Sequence, residues 1–529
     1  MISKLRLFLA LYIAVVSFTE SNQLKQGDTV DIPGPDNSYK TANFWEKNNE
    51  NEIAEVKRIV SRNWRAKNVV LFIGDGYGLS EMVAARIFQG QKSNASKIGE
   101  LNRLKMEELL PHVALSRTFS TDYQVPDSAA TAFAILSGIK TNSATLGFSG
   151  GSVSKGQCGS GVNPLPTIAD HVKKLGKRVG VVTTARVTHA TPAALYAKTE
   201  DRDWEGNSPD GCKDIAIQLM EQQKTGLIDV ILGGGLKNFM PKDQKTHFNG
   251  TSERNDSRNL VATWENDGGK VVYDIDELTN VEANDLPVLG LFADSHMGYD
   301  ALRRSSSKEP TLQSMTTKAI KLLVENNEDG FFLLVEGARI DHGQHANKPY
   351  LTLTEADAFD QTIKAVVDRV NLEETLVIVT ADHSHSFSIS GYPTLNNPIL
   401  GTNHMNQSTL TYGSGPNSQD PSSKHPNNIN EHQPEYKYPS ALNGSQGSHG
   451  GEDVLIFADG PMAHMFRGVR MQTYIGAIMQ YATCSGKYED SCPIVRKGDI
   501  RSESLKSTNK GNQIKSHFAM LVAFLLFSF

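Results

Sequence analysis

The sequence predicts an α/β protein: a large, mostly parallel central sheet flanked by helices on both faces, with a loop-rich insertion. Short aliphatic runs recur along the chain, at Val69–Ile73, Val179–Thr183, Ile228–Leu232, Val288–Phe292, Phe331–Val335, Leu376–Thr380 and Val454–Phe457. Amphipathic stretches lie between them, such as Thr167–Leu175, Cys212–Gln222, Leu312–Val324 and Thr352–Val370. Runs that are apolar throughout are strands buried on both faces, and their alternation with helices gives a parallel sheet. Polar clusters follow the runs repeatedly, and ligands of such sheets gather at the strands' carboxyl ends.

The 529 residues, 39% hydrophobic and 21% charged, suffice for one large domain with insertions or for two or three smaller ones. A net charge of −6 gives no basic footprint for nucleic acid. Residues 1–20 read as a signal peptide: Lys4 and Arg6 precede apolar Leu7–Phe18, and Ser17, Thr19 and Ser21 lie near a possible cut. Residues 21–65 form an N-terminal arm in which the charged stretch Phe44–Val60 is expected to be helical. The catalytic domain takes residues 66–390 and 449–495. Between its parts lies the insertion 391–448, where Gly391–Gly447 is rich in Asn, Ser, Pro, Gly and His. His404, His425 and His432 in it are expected at the surface. Residues 496–529 hold a polar spacer with Ser507, Asn509 and Gly511, then the uncharged tail Phe518–Phe529. That tail is short of the about 20 residues a spanning helix needs and matches a GPI-attachment signal. The expected location is the extracellular face of the cell membrane. Sequons at Asn94, Asn249, Asn255, Asn406 and Asn443 fit that route. So do Cys158, Cys212, Cys484 and Cys492, none at metal-type spacing: the short Cys484–Cys492 step suggests a local loop closure, leaving Cys158–Cys212.

The chemistry sits just past the strands. Val69–Ile73 runs into Gly74-Asp75-Gly76, whose glycines let ligands approach a carboxylate. In Thr121–Ala132 an Ala-rich helix is expected to start at Ser128, after Pro126 and Asp127. Such a hydroxyl faces free N–H groups and the positive dipole end, although Asp127 or Ser128 is equally an ordinary N-cap. Val179–Thr183 leads to Arg186, His189 and Thr191, with Arg202 beyond. Phe331–Val335 releases Glu336, Asp341, His342 and His345 within ten residues, and Asp341 and His345 are one helical turn apart. Leu376–Thr380 leads to Asp382-His383-Ser384-His385, and Gly-framed His449 precedes the last strand. Each cluster alone has a bland reading as a turn or a cap. Carboxylates and imidazoles after so many strands are too many ligands for one zinc and suit a multi-metal hydrolase.

The motifs FIGDG, VPDSAATA, VTHATPAA, VEGARIDHGQH, TADHSH and SHGGEDV resemble, in order and over nearly the whole mature chain, those of alkaline phosphatases of the animal GPI-anchored type. The resemblance implies that Ser128 is the nucleophile and that Arg202 grips the phosphate. It implies one zinc on Asp341, His345 and His449, and a second on Asp75, Asp382 and His383 beside Ser128. Magnesium goes to Asp75, Thr191 and Glu336, with His189 in its outer shell and His342 beside the zinc site. Asp127 belongs to the substrate's surroundings. Small phosphate monoesters are the expected substrates, the insertion is crown-like, and a homodimer is held by the N-terminal arm. The family's calcium site matches at Phe292 and Glu309, but Ala293 replaces a carboxylate and Asp294 is the candidate substitute. Two alternatives compete. A phosphodiesterase or nucleotide pyrophosphatase of the same superfamily typically uses Thr as nucleophile and lacks the clamping Arg and the magnesium ligands; Ser128, Arg202, Thr191 and Glu336 disfavour it. A GPI-anchored binding protein with a degenerate site requires missing ligands, and none is missing.

Overall fold

The computed structural model describes residues 40–93, 98–159, 161–304, 306–418 and 433–494. The expected signal peptide, GPI signal, Asn94, His425 and His432 lie outside them. The chain divides into two compact units, Met1–Glu50 and Asn51–Phe529. The helix Ala42–Val56 forms where charged Phe44–Val60 predicts it, and none of its residues is buried.

The strands are β1 (Asn68–Gly74), β2 (His112–Arg117), β3 (Arg178–Arg186), β4 (Val230–Gly234), β5 (Lys270–Val272), β6 (Val288–Leu291), β7 (Phe331–Gly337), β8 (Thr375–Ala381), β9 (Ser384–His385), β10 (Phe387–Ile389), β11 (Leu410–Gly415), β12 (Ser440–Asn443), β13 (His449–Gly450), β14 (Val454–Asp459) and β15 (Val469–Met471). Ten of them form one sheet in the order β15-β2-β14-β8-β1-β7-β3-β4-β6-β5. Only β14 runs against its neighbours β8 and β2. Every aliphatic run of the sequence becomes a strand of this sheet. The three strands without such a run, β2, β5 and β15, lie at or next to its edges, where one face meets water and a continuous apolar stretch is not required.

Side-chain alternation splits the core between the two faces. Val69, Leu71 and Ile73 of β1 join one cluster with Phe332 and Leu334 of β7, beneath the helices Ser128–Ser137 and Thr473–Thr483. Val70 and Phe72 join the other with Phe331, Leu333 and Val335, beneath Leu312–Val324 and Pro349–Val367. Phe359 is the plug under the central strands. It is fully buried, packs edge-on against Phe72 and Tyr77 with ring centroids 5.8 and 6.1 Å away, and lies so close to Gly337 that a Cβ there would meet it at 2.6 Å. Phe359→Ala is expected to cost about 3–5 kcal/mol, the usual loss of burial plus an unfilled cavity, seen as a lowered unfolding midpoint by circular dichroism.

The insertion is not structureless. It supplies β11 and β12, which pair with β10 in a separate small sheet. His404 is exposed, as expected of a residue that nothing positions. Both expected disulfides form, Cys158–Cys212 and Cys484–Cys492, with Cα atoms 5.8 and 4.9 Å apart. Asn249, Asn255 and Asn443 are exposed and Asn406 is half-buried. Among the described residues no helix is long and apolar enough to cross a membrane.

Candidate active site

Parallel register places the three donor-bearing strand ends side by side. Gly74 of β1 pairs with Gly337 of β7 and with Ala381 of β8, so Asp75, Glu336 and Asp382 emerge together. All three are fully buried. Gly76 must be glycine twice over: its φ is +64°, and a Cβ there would lie 2.6 Å from the His385 ring.

Ser128 opens the helix Ser128–Ser137, and Asp127 caps it by accepting the Ala129 and Ala130 N–H groups. The capping reading of Asp127 is therefore correct, and it coexists with a second task. Arg202 donates from Nη1 to Asp127 at 3.1 Å and from Nη2 to His189 Nε2 at 3.1 Å, so its fork is held facing the serine's helix end. Burial works against ionising Asp127, but the Arg202 guanidinium outweighs it and holds the carboxyl below its usual value. Ser128 Oγ lies 3.2 Å from His383 Nε2 and 3.5 Å from an Asp75 oxygen.

One donor group joins Asp341, His345, His449 and His385; a second joins Asp75, Asp341 and His383; a third joins Asp75, Glu336 and His189. In each group one donor atom per residue lies within 4.8 Å of the others. Backbone carbonyls fix the tautomers. His345 Nδ1 donates to Gly447 O at 2.6 Å, His449 Nδ1 to Pro126 O at 2.8 Å, and His383 Nδ1 to Ser384 O at 3.2 Å. Each ring, when neutral, therefore turns its Nε2 lone pair inward. The Nε2 atoms of His345 and His449 face each other at 3.1 Å with Asp341 oxygens 3.4 and 3.5 Å away. Burial also pushes His383 down to about 3 and His449 well below the ordinary imidazole value, keeping both neutral. Lone pairs and carboxylates converging without a proton between them require a cation.

The oxygens of Asp75 and Glu336, together with the Thr191 hydroxyl, carry the same signature. Asp75 Oδ2, Thr191 Oγ1 and Glu336 Oε1 are buried with no hydrogen-bond partner. Thr191 sits in the first turn of the helix Ala190–Tyr196, just past His189, and the Thr183 hydroxyl holds the other Glu336 oxygen. Burial, then the neighbouring carboxylates, raises Asp75 well above its usual range; burial likewise raises Asp382, and Glu336 to about 7. Asp382 is oriented by Gly76 N–H and the Thr131 hydroxyl.

Two residues enter without an assigned role from the sequence. His385 Nε2 contacts Asp341 Oδ1 at 2.5 Å. Its signal was present: in Asp-His-Ser-His, residues two apart on an extended segment share a face. His296, past β6, packs on His189 and His342 with ring centroids 5.2 and 4.1 Å away, and nothing in its neighbourhood announces it. His342 accordingly sits with His189 and His296 rather than among the donors around His345. The doubt over the family's calcium stands. Glu309 accepts Gly298 N–H at 2.9 Å and lies 3.7 Å from the Arg303 guanidinium, a cation already in place, while Asp294 packs against Gly250 with its Oδ1 buried and without a hydrogen-bond partner.

A hydrolase that works through bound metal ions is the class this geometry defines. Sequence comparison narrows it. The alkaline phosphatase family profile matches residues 66–485. Curated relatives include the tissue-nonspecific alkaline phosphatase isozymes of Felis catus, 39% identical over 86% of this chain and 90% of that protein, and of Homo sapiens, 40% identical over 81% and 85%. The chain belongs to the alkaline phosphatase family and is a metal-dependent phosphomonoesterase. Solved structures share the fold: the alkaline phosphatase of the Antarctic bacterium TAB5 (TM-score 0.58, 24% identity, 80% of this chain and all of that one) and that of Thermus thermophilus (0.59, 23%, 79% and 92%).

Proposed function

We propose that this chain hydrolyses phosphate monoesters through a phosphoserine on Ser128, at a site for two zinc ions and one magnesium ion. The facing, unprotonated Nε2 atoms of His345 and His449 carry the reading, supported by the orphaned oxygens of Asp75, Thr191 and Glu336. Mixed imidazole and carboxylate donors suit zinc, so Asp341, His345 and His449 would hold one ion and Asp75, Asp382 and His383 the other. The oxygen-only set Asp75, Thr191 and Glu336 suits magnesium. When bound, the ions lower the serine's pKa and stabilise charge on the attacking and leaving oxygens. The protein's own residues do the rest. Asp127 and His189 present the Arg202 fork to two phosphate oxygens, and the start of the helix Ser128–Ser137 aims Ser128 Oγ at phosphorus. His385 positions Asp341. None of Ser128, Asp127, His189 and Arg202 reads the alcohol part of the ester, which implies broad monoester use.

The helix Ala42–Val56 leaves Trp45 and Ile53 44% and 56% exposed, which supports the arm as a dimer contact. The C-terminal sequence supports GPI anchoring at the outer cell surface, and the sequons and disulfides the secretory route. One experiment tests chemistry and anchoring together. Protein released from membranes by a GPI-cleaving phospholipase is expected to hydrolyse an aryl monoester far faster than the matching diester, and Arg202→Ala is expected to lower monoester kcat/KM about 10²-fold by loss of a bidentate, charge-assisted contact. Preference for the diester, or an Arg202→Ala variant with intact kcat/KM, would contradict the reading.

A further inference from the structure

Beside the phosphate clamp lies an open cavity of about 490 Å³ whose polar lining is dominated by His296, Arg303, Arg304 and Arg339, with Tyr299 and Glu309. A chain of side-chain contacts links it to the site: Arg202 Nη2 meets His189 at 3.1 Å, His189 packs on His296, which lines the cavity, and His296 packs on His342.

The three imidazoles in that path form a cluster with metal-ligand spacing. Their partners argue against a cation. Arg202 contacts His189 Nε2, Arg186 contacts His296 Nε2 at 2.5 Å, and Arg339 contacts His342 Nδ1 at 2.9 Å. A guanidinium N–H only donates, so each of those ring nitrogens accepts, and the second nitrogen of each neutral ring carries a proton. Nδ1 of His189 and of His296 are buried donors without a partner. Three N–H donors ringed by three guanidinium groups disfavour a metal and attract an anion.

Charge accounting in the cavity points the same way. Arg186 is paired with Glu205, and Arg303 with Asp300 and Glu309, which also takes Gly298 N–H. Arg339 stacks over Tyr299 at 3.8 Å, and its Nε is buried with no hydrogen-bond partner. Arg304 is exposed, and neither it nor Arg339 has a carboxylate within ion-pair distance among the described residues. Two guanidinium groups without a direct carboxylate partner, Arg339 sharing only the longer-range field of Glu309 and Glu355, raise the positive potential beside this concave wall.

We propose that this cavity is a subsite for a second anionic group, a phosphate, on the leaving group of the phosphomonoester. Arg304 and Arg339 grip it, with the His296 ring in the wall between them and the site. The path from Arg202 spans a hydrogen bond and two ring contacts, so the second phosphate belongs several bonds from the scissile one. The preferred substrates are bisphosphates with a spacer. The inference rests on the phosphomonoesterase reading above.

The test compares initial rates of the metal-loaded enzyme on 1,4-butanediol bisphosphate and on butyl phosphate, in wild type, Arg304→Glu and Arg339→Met. Wild type is expected to favour the bisphosphate in kcat/KM by about tenfold, mostly through KM, with the advantage shrinking as salt rises. Each variant should lose most of that advantage while butyl phosphate turnover stays within about twofold of wild type. Equal kcat/KM for the two esters in wild type, or parallel losses on both in the variants, would overturn the subsite. A free anion held there would instead appear as a non-competitive effect of added inorganic phosphate on butyl phosphate turnover that Arg304→Glu removes, and that result also overturns it. Failure of wild type to hydrolyse either ester would overturn the phosphomonoesterase reading and this inference with it.

Discussion

Ser128→Ala is expected to lower turnover of a simple aryl phosphate by about 10³-fold or more, with the bound-metal content unchanged. The magnitude follows from removing the nucleophile of a covalent mechanism, which leaves only positioning and charge stabilisation to act on water. Unchanged metal content follows from the geometry. Ser128 Oγ touches His383 and Asp75, but the donor groups close without it. Its loss removes one hydroxyl from a fully helical, buried segment of high helix propensity, so the fold should stay. Steady-state rates and elemental analysis of the same preparation check both halves. A variant that keeps full turnover, or one that loses its metals, contradicts the assignment.

Exhaustive chelation is expected to abolish activity, and zinc together with magnesium to restore it, zinc alone restoring only part. The metal-free protein should also respond to pH in a direction the structure sets. Burial raises Glu336 from 4.5 to about 7, and Asp75 and Asp382 are raised as well. A carboxyl whose folded value is raised binds its proton more tightly when folded, so it contributes stability below its unfolded value and loses it as pH rises through the folded one. The chelated protein should therefore lose the share of stability these carboxyls carry as pH climbs from about 4.5 through about 7, against an opposite gain from His383 and His342, whose values lowered to about 3 cost stability below the ordinary imidazole range. Metal reverses the sign, because ionised ligands are what it binds. Thermal melts with and without chelator across that range check the crossing. Undiminished activity after chelation, or parallel pH profiles of the two forms, would count against the metal site.

The central strands and their order of chemistry were legible because they are apolar without interruption. β1, β3, β7 and β8 each read as a buried run ending in polar residues, and the parallel sheet then brings those ends to one edge. The edge strands β15 and β5, and β2 beside β15, carry no such run and escape the sequence reading. The insertion reads as loop-rich, without identifiable strands, because β11 and β12 are short and mix Gly, Ser and Asn with few apolar residues. Within the site, Asp341 and His345 could be paired from their helical spacing, and they do lie on the helix Arg339–His345. His385 was visible but unassigned. His296 was beyond sequence reasoning: it follows a strand of ordinary type, and its importance comes only from where the chain brings His189 and His342. Calcium stays as open as the sequence leaves it: Arg303 lies 3.7 Å from the Glu309 carboxylate that was the candidate ligand.

The most direct test of the account is mass spectrometry of the metal-loaded enzyme quenched in acid during turnover of a monoester. One phosphoryl group is expected on the peptide bearing Ser128, absent from Ser128→Ala. Phosphate on another residue, or turnover by Ser128→Ala at the wild-type rate with no phosphorylated peptide in either protein, would contradict it.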